Sequence, residues 1–215
     1  MNQEVMVLCI QTLLLAGAII FFLVRKGSFI KFDLAGEIKQ VFSFFKRHKL
    51  FTTTLCIVVI SYLFLGYLSI LLPQNTSDSL YNHLARIAHW LQQGSLKPYD
   101  TFSDFGITYP YNNSLLMMWS MLFIHSDRLV GLVQWFAAIL LALAIYGLAT
   151  ELRFPHLQAG FSAVVFLTFP IVIFESITAQ NDLLAASFFL IGMYFFIRAF
   201  QTQNYPDIVF SALSI

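Results

Sequence analysis

"SLLMMWSMLFI", residues 114–124, is an apolar run whose relation to a bilayer sets the direction of every segment that follows it. As a helix the run rises about 16 Å at about 1.5 Å per residue, half of the roughly 30 Å of a hydrocarbon core. It is therefore expected at the membrane interface rather than across it, with Trp119 among the headgroups.

Longer apolar runs lie on either side. Five segments have the length of a span, roughly 5–24, 50–72, 129–150, 158–177 and 183–200. A sixth, "DIVFSALSI", opens at Asp207 and is too short to cross, which reads as a chain truncated inside an element. With 59% hydrophobic and 11% charged residues, the chain is far from the roughly quarter-charged usage of soluble domains. The fold class expected is an all-α polytopic membrane protein. A net charge of +1 offers no basic face for nucleic acid. Cys9 and Cys56 sit in apolar runs without CxxC or Cys/His spacing, so they read as small hydrophobes and no metal site is expected. The first run, "VMVLCIQTLLLAGAIIFFLV", lacks a basic stretch before it and is followed by Arg25 and Lys26. It reads as a retained span, not a secretory signal.

Charge orients these segments. Residues 25–49 carry seven basic side chains, Arg25, Lys26, Lys31, Lys39, Lys46, Arg47 and Lys49, whereas 73–113 carries two, Arg86 and Lys97. The positive-inside rule makes the first loop cytoplasmic and the second an outer loop, taken as 73–128. The chain then divides into 1–49, an N-terminal span with its cytoplasmic loop, and 50–215, the main transmembrane part. With 114–124 at the interface, 129–150 runs inward, 158–177 outward and 183–200 inward, which puts Asp182 outside and Arg198 inside. Pro170 should kink the fourth span.

The outer loop opens with "TSDSLYNHLARIAHWLQQG", residues 76–94. Read as one helix over 78–93, it aligns Leu80, Leu84, Ile87 and Leu91 in an apolar stripe. Asp78, Asn82, Arg86, His89 and Gln93 fall within about 80° of one another on another face. Gly94 is a C-terminal stop. Such a helix lying flat on the membrane would hold its polar row above the lipid. Asp78 has two open roles, helix N-cap or reacting carboxylate. His83 and His89 read first as packed or interfacial histidines, and Arg86 as a partner of Asn82 or a headgroup contact. Asp182, beside Gln180 and Asn181, is a helix cap or a functional group at membrane depth, and Glu175 is a weaker candidate one turn away.

"SDSLYNHLARIAHWLQQGSL", "YPYNNSLLMMWSMLF", "SDRLVGLVQWFAAILLALAIYGLATEL" and "TAQNDLLAASFFLIGMYFF", in this order, resemble the N-terminal half of GT-C membrane glycosyltransferases. The nearest branch holds protein O-mannosyltransferases, aminoarabinose lipid A transferases and RgtA/B/C/D-like proteins. The resemblance covers roughly residues 50–200, and its most specific part is the Asp that opens the loop helix. It implies a GT-C-like helical bundle in a bacterial inner membrane. It also implies transfer of a sugar from a polyprenyl-phosphate carrier to an acceptor hydroxyl on the outer face, with inversion at the anomeric carbon. Asp78 would then accept the acceptor proton, and Asp182 would be the second catalytic carboxylate. Asn82, His83, Arg86, His89 and Lys97 are the candidate substrate-binding residues, Arg86 and Lys97 being the basic side chains the loop offers to a lipid phosphate. No cofactor beyond the lipid-linked donor is implied, with a divalent metal left open. Two other classes compete, a transporter subunit and a non-catalytic membrane scaffold, the latter including an inactive truncated paralogue. Charge concentrated at the outer surface, and not at the midplane, favours the enzyme over the transporter.

Overall fold

The computed structural model describes residues 12–13, 34–101, 105–108 and 110–214. The chain forms two compact units, Met1–Lys49 and Leu50–Ile215. The expected first span, 5–24, lies outside the described residues apart from Thr12 and Leu13. All regular structure among the described residues is helical.

In the first unit, α1 (Leu34–Arg47) ends in two basic residues, Lys46 and Arg47. In the second, three helices are long and apolar enough to cross a membrane: α2 (Lys49–Leu71), α6 (Gly131–Glu151) and α9 (Asp182–Thr202). They match three of the expected spans to within a few residues. Their outward faces are largely apolar, with Ile60, Leu63 and Phe64 on α2, Leu143 on α6 and Phe189 and Phe200 on α9 exposed. A soluble helix would bury such a face; in a bilayer the lipid covers it, while the backbone bonds stay inside each helix. The chain is a helical membrane protein on these grounds.

Small side chains let the helices approach. Ala137, Ala138, Ala142 and Ala144 are buried on α6, and Ala159, Gly160 and Ala163 on α7 (His156–Leu167). Helix α6 packs against both α7 and α9. Larger groups link α2 to α6 and α7. Phe51 meets Phe161 with ring centres 5.1 Å apart, and a Cβ at Gly160 would come within 2.7 Å of the Phe51 ring. The Tyr62 hydroxyl donates to the Leu167 carbonyl at 3.2 Å, and Trp135 Nε1 donates to the Tyr62 carbonyl at 2.7 Å.

The fourth expected span is broken, not kinked. Helix α7 stops at Leu167, and α8 (Pro170–Glu175) starts anew with Pro170 at its first turn. Proline drives the residue before it out of the helical region, and Phe169 is extended at φ −66°, ψ 130°. The missing N–H then costs nothing, because the first helical positions have no intrahelical acceptor.

Helix α5 (Asn112–Ile124) contains the run that set the direction of the chain. At about 20 Å it is too short to span. One side packs inward, with Met117 in a buried cluster with Ile87, Val130 and Ala179, while Trp119 stays exposed. The short α4 (Phe105–Thr108) precedes it. After α9, α10 (Tyr205–Leu213) folds back on that helix, and the Ser211 hydroxyl donates to the Gly192 carbonyl at 3.1 Å. Arg198 bridges Asp207 at 3.3 Å and Glu151 at 3.9 Å, tying the ends of α6 and α9 to the start of α10.

The loop helix differs from the expected single α-helix. Residues Ser79–Leu84 form a π-helical turn, and only Ala85–Gln93, α3, is α-helical, ending at left-handed Gly94 (φ 62°). The buried side is His83, Arg86, Ile87 and Trp90, with Leu84 partly covered, whereas Leu80 and Leu91 of the expected stripe are exposed. Burial of Arg86 is offset by its partners, described below.

Candidate functional site

Asp78 opens the π turn, but its side chain makes no capping bond. Thr76 takes that role: its Oγ1 accepts from the Ser79 amide at 3.3 Å, and its carbonyl accepts from the Leu80 amide at 3.1 Å. The Asp78 carboxylate is left for other partners. Asn82 Nδ2 donates to Oδ1, and His83 Nε2 stands 3.5 Å from Oδ2. The π turn produces the second contact. In an α-helix residues five apart point about 140° away from each other, whereas the wider turn stacks position i over i+5.

His83 is fully buried, and neither ring nitrogen has a hydrogen-bond partner. Burial holds its pKa below the ordinary histidine value, against the pull of Asp78 in the other direction. It is therefore a neutral imidazole at neutral pH. The Asp78 side chain is 39% exposed and so can be reached from solvent.

A second segment arrives from the other half of the unit. Residues 176–181 join α8 to α9 and dock on the π turn, where the Ala179 amide donates to the Ser79 hydroxyl at 3.1 Å. Asn113 of α5 donates to the Gln180 carbonyl, and Gln74 Nε2 to the Ile177 carbonyl at 3.3 Å. With its amide nitrogen turned to the carboxylates, Gln180 donates to Glu175 at 2.7 and 3.1 Å and to Asp182 at 3.3 Å. Asp182 sits in the first turn of α9, where the helix dipole favours a negative charge. Deeper in, Gln134 Oε1 of α6 accepts from the Leu184 amide at 3.0 Å.

These contacts bring the carboxylates into one electrostatic neighbourhood. Both Asp78 and Asp182 act on His83, and both act on Glu175. Residues about a hundred positions apart in sequence thus meet at one end of α2, α6 and α9. Such a site has solvent-reachable proton acceptors, an amide that can turn towards carboxylate or hydroxyl, and a neutral imidazole behind the leading carboxylate. Among the described residues no group of three His, Cys, Asp or Glu side chains is placed to hold a metal ion.

The candidate substrate-binding residues divide. Asn82 and His83 flank Asp78. Arg86 is buried, and its NH1 donates to the Pro110 carbonyl at 3.2 Å and to the Ser114 hydroxyl at 3.3 Å. The guanidinium also lies 5.1 Å from the Tyr111 ring centre and 5.8 Å from that of Trp90. Its charge is used to hold the start of α5 against α3. His89 stacks on Tyr99 at 4.0 Å. Lys97 is exposed in the loop beyond Gly94.

Ser79, Asn113 and Gln134 hold the site together without having stood out in the sequence. Gln134 did carry a signal, a buried amide inside the apolar run "GLVQWFAAILL". Ser79 and Asn113 had none, since serine and asparagine are ordinary loop residues. No protein-family model, no curated protein and no solved structure matches the chain.

Proposed function

We propose that this chain is a membrane glycosyltransferase, or part of one, which moves a sugar from a polyprenyl-phosphate donor to an acceptor hydroxyl at the outer membrane face. The observation that carries the reading is the state of Asp78. It is a solvent-reachable carboxylate at the mouth of a bilayer-length helix, freed from capping by Thr76 and held by Asn82, with the His83 ring 3.5 Å behind it and with Glu175 and Asp182 in the same electrostatic neighbourhood. In the proposed reaction the acceptor oxygen bonds to the anomeric carbon as the bond to the phosphate oxygen breaks. The acceptor proton passes to Asp78, and the lipid phosphate leaves with the electron pair. Glu175 and Asp182, held by Gln180, accept hydrogen bonds from sugar hydroxyls, and exposed Lys97 meets the phosphate. The resemblance to GT-C enzymes supports the same assignment.

The test uses membranes that contain the chain and a radiolabelled polyprenyl-phosphate sugar. Transfer of label to a membrane acceptor is expected, and Asp78→Asn should lower it by a factor on the order of 100 to 10,000. A donor left intact by the chain, or consumed at the wild-type rate by Asp78→Asn, would overturn the reading.

A further inference from the structure

Helix α1 is strongly two-sided. Ile38, Val41, Phe42 and Phe45 recur at helical spacing on one face, and Lys39, Ser43, Lys46 and Arg47 lie on the flanks and the opposite face. Ile38, Val41 and Phe42 are 60%, 53% and 69% exposed. A helix of this kind in water would leave an apolar strip open, which soluble proteins avoid.

Two observations select the occupant. Only His48 separates the end of α1 from Lys49, the first residue of bilayer-length α2, so the C-terminal turn of α1 stands at the membrane boundary whatever the angle between the two helices. The sequence around α1 is also basic, with seven Lys/Arg in 25–49 against two acidic residues, Asp33 and Glu37. We propose that α1 is an in-plane membrane anchor that lies on an anionic lipid surface. Ile38, Val41 and Phe42 enter the acyl boundary, and Lys39, Lys46 and Arg47 contact lipid phosphates. The anchor holds the end of α2 by charge, so its seating responds to the lipid composition of that leaflet.

The test uses the full chain in nanodiscs, with Cys9 and Cys56 replaced by Ala and a spin label on Phe42→Cys, Val41→Cys or Ser43→Cys. Two labels on the apolar face guard against one poorly folded variant. In discs with about a third phosphatidylglycerol, a proportion that gives a strongly anionic surface, labels at 41 and 42 should collide with oxygen and be shielded from a water-soluble nickel chelate. The label at 43 should show the reverse. In phosphatidylcholine discs, or after Lys39→Glu, Lys46→Glu and Arg47→Glu together, the labels at 41 and 42 should lose their shielding from nickel. Nickel access at 41 and 42 in anionic discs would overturn the proposal. So would shielding from both probes, which means burial against protein or a second copy, and so would immersion indifferent to lipid charge.

Discussion

The Asp78 side chain makes no capping bond to the turn it opens, and this separates two roles that its position alone left open. If it were the cap, Asp78→Ala would unwind the turn; with Thr76 capping, it removes one partly exposed hydrogen bond from Asn82. Asp78→Ala is therefore expected to cost less stability than Thr76→Ala, for which about 1 kcal/mol is typical of a lost cap. Thermal unfolding of the two variants in detergent checks the order, and the reverse order would return Asp78 to a capping role. His83 makes a second prediction at this scale. Its folded pKa lies below the ordinary value because burial outweighs Asp78 and Asp182, with Arg86 adding to the depression. The unfolded chain then binds the proton more readily, so the stabilisation is present above the unfolded value of about 6.5 and is lost as pH falls towards the folded one. The unfolding midpoint should drop below about pH 6.5 in the native chain, and His83→Gln should flatten that part of the profile. An unchanged profile in the variant would show that another group titrates there.

At the scale of elements, the site depends on how α6 holds the start of α9. The Leu184 amide is one of the donors that the first turn of a helix leaves without an internal acceptor, and buried Gln134 supplies one. Gln134→Ala should therefore destabilise the unit by about 1 to 3 kcal/mol, the range for a buried donor left unpaired. Thr54→Ala, which removes an exposed bond within α2, is the control and should leave the midpoint close to wild type. Equal midpoints for both variants would show that water or another acceptor replaces Gln134. The break between α7 and α8 belongs to this scale as well. Proline made a disturbance at 170 legible in the sequence, but restart instead of bending required the extended Phe169 and a new first turn that accommodates the ring.

For the molecule as a whole, the positive-inside rule applied to the basic residues of 25–49 gives the direction expected of the spans. Lys97→Cys, in the exposed part of the loop after Gly94, should react with an impermeant thiol reagent from outside intact cells, whereas Ser43→Cys on α1 should react only after permeabilisation. Each is read in a chain without Cys9 and Cys56. The opposite pattern would place the Asp78 site on the cytoplasmic side and remove the proposed outer-face reaction. Lipid composition should leave this pattern unchanged, because α2, α6 and α9 are long and apolar enough to cross whatever the headgroup charge.

The membrane class, the three bilayer-length helices, the short α5 and the stop at Gly94 were legible in the order of residues, because each depends on a local property: apolar length or backbone freedom at one glycine. The π turn was not legible, since an i to i+5 ladder leaves no mark in a pattern tested at 3.6 residues per turn, and of the expected stripe Ile87 and Leu84 turn inward while Leu80 and Leu91 are exposed. Burial of Arg86 likewise depended on Pro110, Ser114, Trp90 and Tyr111 closing around one guanidinium. Asp78 and Asp182 were each noticeable in isolation. Their convergence with Glu175 about Gln180 and His83 was decided only by tertiary structure, because docking residues 176–181 on Ser79 joins groups about a hundred positions apart, a distance over which no local spacing rule acts.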